Sequence, residues 1–197
     1  MSSIYEWKKS FIFEDEDRPE KPRSYGVTEM RGPHFTLQTH TAIQDILETR
    51  GEFVDGFKFS GGSHSLFPKD FIKQVIDMAH KHSVYVSTGD WAQHYLAQGP
   101  SSFNKYIQRC IEAGADMIMI DADDVCKYAE SLRTDIIAKI VSRLGLEKTM
   151  FEASNPKTSE WFVRRYGPRV NLFVDYSHVM NLECLRGHNF GPTSYIG

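Results

Sequence analysis

The chain has 197 residues, 41% of them hydrophobic, and a formal net charge of −3, which suits one domain with a buried core. The near-neutral balance gives no electrostatic reason to expect nucleic acid or an anionic membrane as partner, and no apolar run approaches the roughly 20 residues that a membrane span needs. Cys110, Cys126 and Cys184 are widely spaced and form no CxxC or Cys/His metal pattern, so they read as reduced thiols of a cytoplasmic protein.

Residues 1–24 read as a polar arm, charged and proline-broken, with no secretory signal. Residues 25–197 read as a single domain in which short apolar runs alternate with helical patterns. The expected strands are "YGVTEM" (25–30), "FVDGFKF" (53–59), "VYVSTGD" (84–90), "ADMIMID" (115–121), "KTMFEAS" (148–154) and "VNLFVDYS" (170–177). Between them lie "TAIQDILETRG", capped by Thr39 or Thr41 and stopped at Gly51, and the helix opened by Pro68 with Ile72, Val75, Ile76 and Ala79 on one face. "SSFNKYIQRCIEAG" ends at Gly114, "AESLRTDIIAKIVSRLG" ends at Gly145, and "TSEWFVRRYG" and "VMNLECLRG" follow. Strands that are apolar almost throughout, joined by helices, imply a parallel sheet covered on both faces. The fold class is α/β, as an open sheet or a (β/α) barrel, with the site at the C-terminal strand ends in either case.

Polar residues gather at those ends: Glu29, Lys58 with "SGGS", "STGD" with Asp90, Asp121, Glu152 and Asp175. Carboxylates on neighbouring strand ends can converge on Mg²⁺, which takes one or two of them, keeps waters and binds substrate oxygens. Asp121 and Glu152 are the preferred pair, with Asp175 as the third candidate ligand; the bland alternative for each is a helix cap. Lys58 is expensive to bury alone. It is expected either to reach solvent, to pair with Asp55 or Asp90, or to meet an anionic substrate. Gly61 and Gly62 leave backbone N–H groups free to approach an anion, Ser60 and Ser63 add hydroxyls, and Thr88 and Gly89 extend the set from the next strand end. "HKH" (80–82) closes a helix and suits its dipole. His64 and His178 stand just past strand ends but have no HExxH spacing, and there is no GxSxG elbow.

"KPRSYGVTEMRGP", "VDGFKFSGGSHSLFP", "VYVSTGDWAQHY", "AGADMIMIDADD", "TMFEAS" and "GPRVNLFVDYSHVMNLECLRG", in this order, resemble the phosphosulfolactate synthase family, and most closely its plant and fungal heat-stress-associated branch. The resemblance covers about Lys21 to Gly191. It implies a (β/α)₈ barrel and Mg²⁺-dependent addition of sulfite to phosphoenolpyruvate, a step toward coenzyme M. It assigns "KFSGGS" to phosphate or another acid group. The chain departs from the family by having six βα units. Two more strands belong between the helix that starts near Pro100 and "ADMIMID", and the join falls near Tyr106 to Cys110, where Phe103, Ile107 and Ile111 keep helical spacing. The lysine that the resemblance makes the proton donor belongs to the absent section, so no residue here takes that role. The expectation is therefore an incomplete barrel, as an open sheet, a small barrel or a homo-oligomer sharing strand edges. It acts either as a lyase of the family or as a non-catalytic relative working through protein contacts.

Overall fold

All six expected strands form, each shorter than its apolar run. The computed structural model of the chain describes residues 19–32, 39–88, 108–121 and 123–187. Gly89, Asp90, His34, His94, His188, Phe103, Tyr106, Ile107 and the first eighteen residues of the expected arm lie outside them. The strands are β1 (Thr28–Arg31), β2 (Gly56–Phe59), β3 (Tyr85–Thr88), β4 (Ile118–Ile120), β5 (Thr149–Ala153) and β6 (Asn171–Asp175). They make one all-parallel sheet in the order β3-β2-β1-β6-β5-β4.

The first and last strands are neighbours, as at the closing seam of a barrel, and the two edges, β3 and β4, are consecutive in sequence. The sheet is a barrel opened between its third and fourth strands. It is also curled. The Lys58 ammonium on β2 donates to Met119 Sδ on β4 at 2.9 Å and lies 4.7 Å from the centre of the Phe173 ring on β6. In the plane of the sheet β1, β6 and β5 separate β2 from β4, so only a sheet that faces itself brings these side chains together.

Helices cover the outer face. α1 (His40–Arg50) starts at Thr39, whose hydroxyl accepts from the Ala42 N–H at 3.1 Å, and buries Ile43, Ile46 and Leu47 at helical spacing. α2 (Lys69–Lys81) follows Pro68, with Asp70 in its first turn and His80 and Lys81 in its last, as the helix dipole favours. α3 (Thr134–Leu144) begins later than the sequence pattern suggests. Residues Ala129–Ser131 form a separate 3₁₀ turn instead, and the Arg133 N–H is drawn to the Val125 carbonyl at 3.0 Å, which takes the chain out of helical register there. α4 (Pro156–Tyr166) has proline in its first turn and Asn155 as its cap, accepting from the Thr158 N–H at 2.9 Å. α5 (Val179–Arg186) closes the fold. The helix before β4 is described only over 108–112 and ends at Gly114, whose φ of 92° suits a residue without a side chain.

Strand alternation divides the core into two layers. Met30, Phe57, Phe59, Phe151, Leu172 and Val174 pack outward under the helices, where Phe151 stacks on Phe162 at 4.8 Å. Val27, Met150 and Phe173, with Met117 and Met119, fill the inner face. The base of the seam is tied by two buried polar side chains. Asn171, fully buried, accepts from the Val27 N–H at 2.9 Å and donates to the Leu146 and Thr149 carbonyls at 3.2 and 3.1 Å. Arg186, 4% exposed, donates to Thr28 Oγ1 and to the Val170 carbonyl at 2.7 Å. Residues 19–24 are anchored to the same end. Lys21 donates to the Gly51 and His82 carbonyls, and Arg23 pairs with Asp55 at 2.9 Å.

Leucine at position 171 would keep the volume of the asparagine and orphan its partners. Each buried group left without a partner costs about 1–3 kcal/mol, so Asn171→Leu is expected to lower unfolding stability by roughly 2–5 kcal/mol in urea titrations. A loss below about 1 kcal/mol would show that the seam does not depend on this amide.

Candidate active site at the mouth of the half-barrel

Period-two alternation puts Glu29 and Arg31 on one face of β1, and the parallel register then sets Arg31 opposite Lys58 on β2 and Asp175 on β6. Glu152 stands one strand further, in register with Phe173. The inner face thus carries an apolar floor and, above it at the C-terminal strand ends, a charged layer.

Glu152 is the centre of that layer. It is 1% exposed. Its Oε1 accepts from Arg31 Nη2 at 2.5 Å and from the Ser154 hydroxyl at 3.1 Å. Lys127, on a π-helical turn at Asp123–Lys127 just past β4, reaches Asp121 at 2.7 Å and Glu152 Oε2 at 3.6 Å. Burial, then the hydrogen-bonded Asp121 carboxyl, push the Glu152 carboxyl above its ordinary range, against the pull of Arg31 and Lys127. For Asp121 burial also pushes upward, but hydrogen bonds from Glu152 and Lys127 outweigh it and hold the carboxyl below the usual range. The two shifts run apart, so the environment favours the proton on Glu152 and the charge on Asp121.

The remaining expected residues divide. Asp175 accepts from the Ser177 N–H at 2.9 Å and the Ser177 hydroxyl at 2.6 Å, so it caps the short turn Tyr176–His178. Among the described residues no group of three or more His, Cys, Asp or Glu side chains is placed to hold a metal ion together. Lys58 does not pair with Asp55, which is engaged by Arg23 and by the Thr28 N–H at the opposite strand ends, and Asp90, the other acid weighed for it, lies outside the described residues. Its ammonium rests on Phe173 and Met119 and acts electrostatically on Asp121. Ser60, Gly61, Gly62 and Ser63 begin a 3₁₀ turn, Ser60–Leu66, directly after β2. Thr88 ends the edge strand β3 in register with Phe59. Glu29, 5% exposed, accepts from the Tyr85 hydroxyl at 2.6 Å and from Ser87 at 2.8 Å. Burial and then the Glu29 charge push the Tyr85 hydroxyl far up, so it stays a donor. Gly56 makes this contact possible, because a Cβ there would collide with the Tyr85 ring.

A cavity of about 350 Å³ opens at the ends of β1, β5 and β6, with Arg31, Tyr128, Ser154 and His178 in its wall beside Glu152 and Asp175. Arg31 and Lys127, which hold the carboxyl pair, were not among the residues singled out from the sequence. Arg31 stands two positions after Glu29 and is findable by alternation. Lys127 sits in an irregular turn and has no periodic signal.

These features define a (β/α)-barrel-type protein with a charged site at the strand C-termini. The (2R)-phospho-3-sulfolactate synthase (ComA) family model matches residues 16–112 and, separately, 100–191, and the chain belongs to this family. It is 46% identical over 274 residues to Protein HEAT-STRESS-ASSOCIATED 32 of Arabidopsis thaliana, covering 97% of this chain and 95% of that protein. It is 25% identical over 137 residues to the phosphosulfolactate synthase of Bacillus subtilis (strain 168), covering 66% of this chain and 54% of that enzyme. The first alignment is longer than this chain, and the two family matches overlap at 100–112. The overlap places the absent section near residues 100–112, between β3 and β4 in the chain.

Since the folded Glu152 carboxyl is raised, the stability it contributes is present below its ordinary value of 4.5 and is lost as the pH rises through the raised one. The Asp121 shift has the opposite sign and acts as the pH falls below 3.8. Glu152→Gln, which cannot ionise, is therefore expected to gain stability on the wild type as the pH climbs above 4.5 in thermal melts. A wild type that gains on the variant over that range would reverse the assignment.

Proposed function

We propose that the chain carries out the addition of sulfite to phosphoenolpyruvate, with Mg²⁺ at Asp121 and Glu152. The observation that supports this is the gathering of the two carboxyls round one cationic group, Lys127, at 2.7 Å from Asp121 and 3.6 Å from Glu152. Carboxyls so placed can take a divalent cation, and two carboxylates on neighbouring strand ends leave room for substrate oxygens. Lys127 holds the pair in place of a metal, and Mg²⁺ would compete with it. Bound there, Mg²⁺ would offset the negative charge that develops on the substrate carboxylate.

The chain's own residues supply the rest. Lys58 and the Ser60–Leu66 turn favour the phosphate, through an ammonium without a carboxylate partner among the described residues and backbone N–H groups at a strand end. Arg31 fixes Glu152. In the reaction the sulfite sulfur forms a bond to carbon 3 as the double bond opens, the electron pair passes to carbon 2 and its carboxylate, and carbon 2 takes a proton. No described residue is assigned as that proton's source. A second reading is favoured by one observation, the sheet edges β3 and β4, which flank the point at which the two family matches overlap. In it the protein works by contacts, including self-association through those edges, and does not catalyse.

Purified protein with phosphoenolpyruvate, sulfite and Mg²⁺ is expected to yield phosphosulfolactate. A folded, monodisperse sample that yields none would overturn the lyase reading in favour of the second. Independently of turnover, Mg²⁺ is expected to raise the melting temperature of the wild type and not of Glu152→Gln. An equal shift in both would remove Glu152 from the metal site.

A further inference from the structure

The N-terminal ends of the strands, opposite the charged layer, hold a fastening that the candidate site does not use. It bears on β3, an edge strand with little burial of its own: Tyr85 and Thr88 are exposed, Val86 and Ser87 half-buried. The chain enters β3 through a Schellman turn at the end of α2. There the Ser83 N–H donates to the His80 carbonyl and the Val84 N–H to the Ala79 carbonyl, both at 3.0 Å, with Ser83 at φ 54°. Glycine takes that left-handed position freely and serine only at a cost. A short edge strand behind a strained turn is the kind of element that opens locally, at a lower free energy than the whole fold.

Lys21 sits on that turn. Its ammonium donates to the His82 carbonyl at 3.0 Å and to the Gly51 carbonyl. His82 caps α2, while Gly51 caps α1 and opens the 3₁₀ turn Gly51–Phe53 that leads toward β2. One cation thus meets two helix C-termini, where the dipoles favour positive charge, and joins the turn before β2 to the turn before β3. The two turns are close-packed, since a Cβ on Gly51 would lie 3.1 Å from His82 Cβ. Arg23 fastens the same segment further along, donating to the Glu52 carbonyl at 3.2 Å and pairing with Asp55 at 2.9 Å. Asp55 carries the fastening on to the strands: its N–H donates to the Thr28 carbonyl at 2.8 Å, and its carbonyl accepts from the Tyr85 N–H at 2.9 Å.

We propose that residues 19–24 are a clip with Lys21 as its peg, and that the clip sets the free energy of a local opening in which β3 and the end of α2 leave β2 while the seam between β1 and β6 stays closed. Opening takes Tyr85 and Ser87 off Glu29 and offers the backbone N–H and C=O groups of β2 to another strand.

Native-state hydrogen exchange of the full chain tests this. The open state has lost the clip, so Lys21→Met is expected to speed exchange of the Val84 and Tyr85 N–H groups by about tenfold, the worth of one charge-assisted hydrogen bond. The open state keeps the seam, so Asn171→Leu is expected to speed exchange of the Leu172 N–H and to leave Val84 and Tyr85 within about twofold. Edge amides unmoved by Lys21→Met, or edge amides that accelerate with Leu172 in Asn171→Leu, would overturn the clip. The wild type gives a check that needs no variant to fold. Exchange at Val84 and Tyr85 is expected to rise less steeply with low urea than exchange at Leu172, because a local opening exposes less surface; equal slopes would overturn the proposal.

Discussion

The pairing of β1 with β6 is the contact on which the rest of the structure depends. It joins residues far apart in sequence: the Val27 N–H meets the Asn171 side chain across 144 positions, and Arg186 reaches Thr28 across 158. Contacts of this kind carry a loop-closure cost before they bring any return. Here the return is concentrated in two buried polar side chains that bond backbone groups which would otherwise be unmatched. Without that seam the N-terminal strands β1 to β3 and the C-terminal strands β4 to β6 would be two unconnected sheets, and the charged layer would be split. Arg31 is on one side of the seam and Glu152 on the other.

The mouth is built from mutual compensation. A carboxyl as buried as Glu152 is tolerated only with donors on it, and removing one partner from such a buried pair typically costs about 3–5 kcal/mol. Arg31, Lys127 and Ser154 are thus structural and chemical at once. The same holds one layer lower, where Glu29 is kept by two hydroxyls from the edge strand β3. That contact gives a short, half-exposed edge strand a fixed place, and it needs the bare backbone of Gly56 to pass.

Much of this was legible in the chain. The six strands, their parallel order and the caps at Thr39 and Pro68 follow from apolar runs, helical crossovers and proline, which are local signals. Asp121 and Glu152 were paired because consecutive strand ends become spatial neighbours in a parallel sheet, and Lys127 reaches both of them. Asp175, weighed both as a ligand and as a cap, accepts from a serine two residues on. Two features were not legible, for different reasons. The α3 helix starts late because the Arg133 N–H is taken by a distant carbonyl, which no helix propensity records. Lys127 lies in an irregular turn whose shape is set by packing against β5. The shortened middle was visible only against the family pattern, because the sequence across the join keeps helical spacing at Phe103, Ile107 and Ile111.

The strand order has one more consequence. Read around the sheet from β4 through β5, β6, β1 and β2 to β3, the six strands form an unbroken run of a circle in which the first and last strands meet at the seam. What is absent is therefore a single arc and not scattered pieces, cut between β3 and β4. Topologically the protein is a circular permutant of a contiguous half-barrel. A polypeptide beginning at β4 and ending at β3, with the present ends linked, would trace the same sheet in strict sequence order and turn the long-range seam into a local crossover of strand, helix and strand.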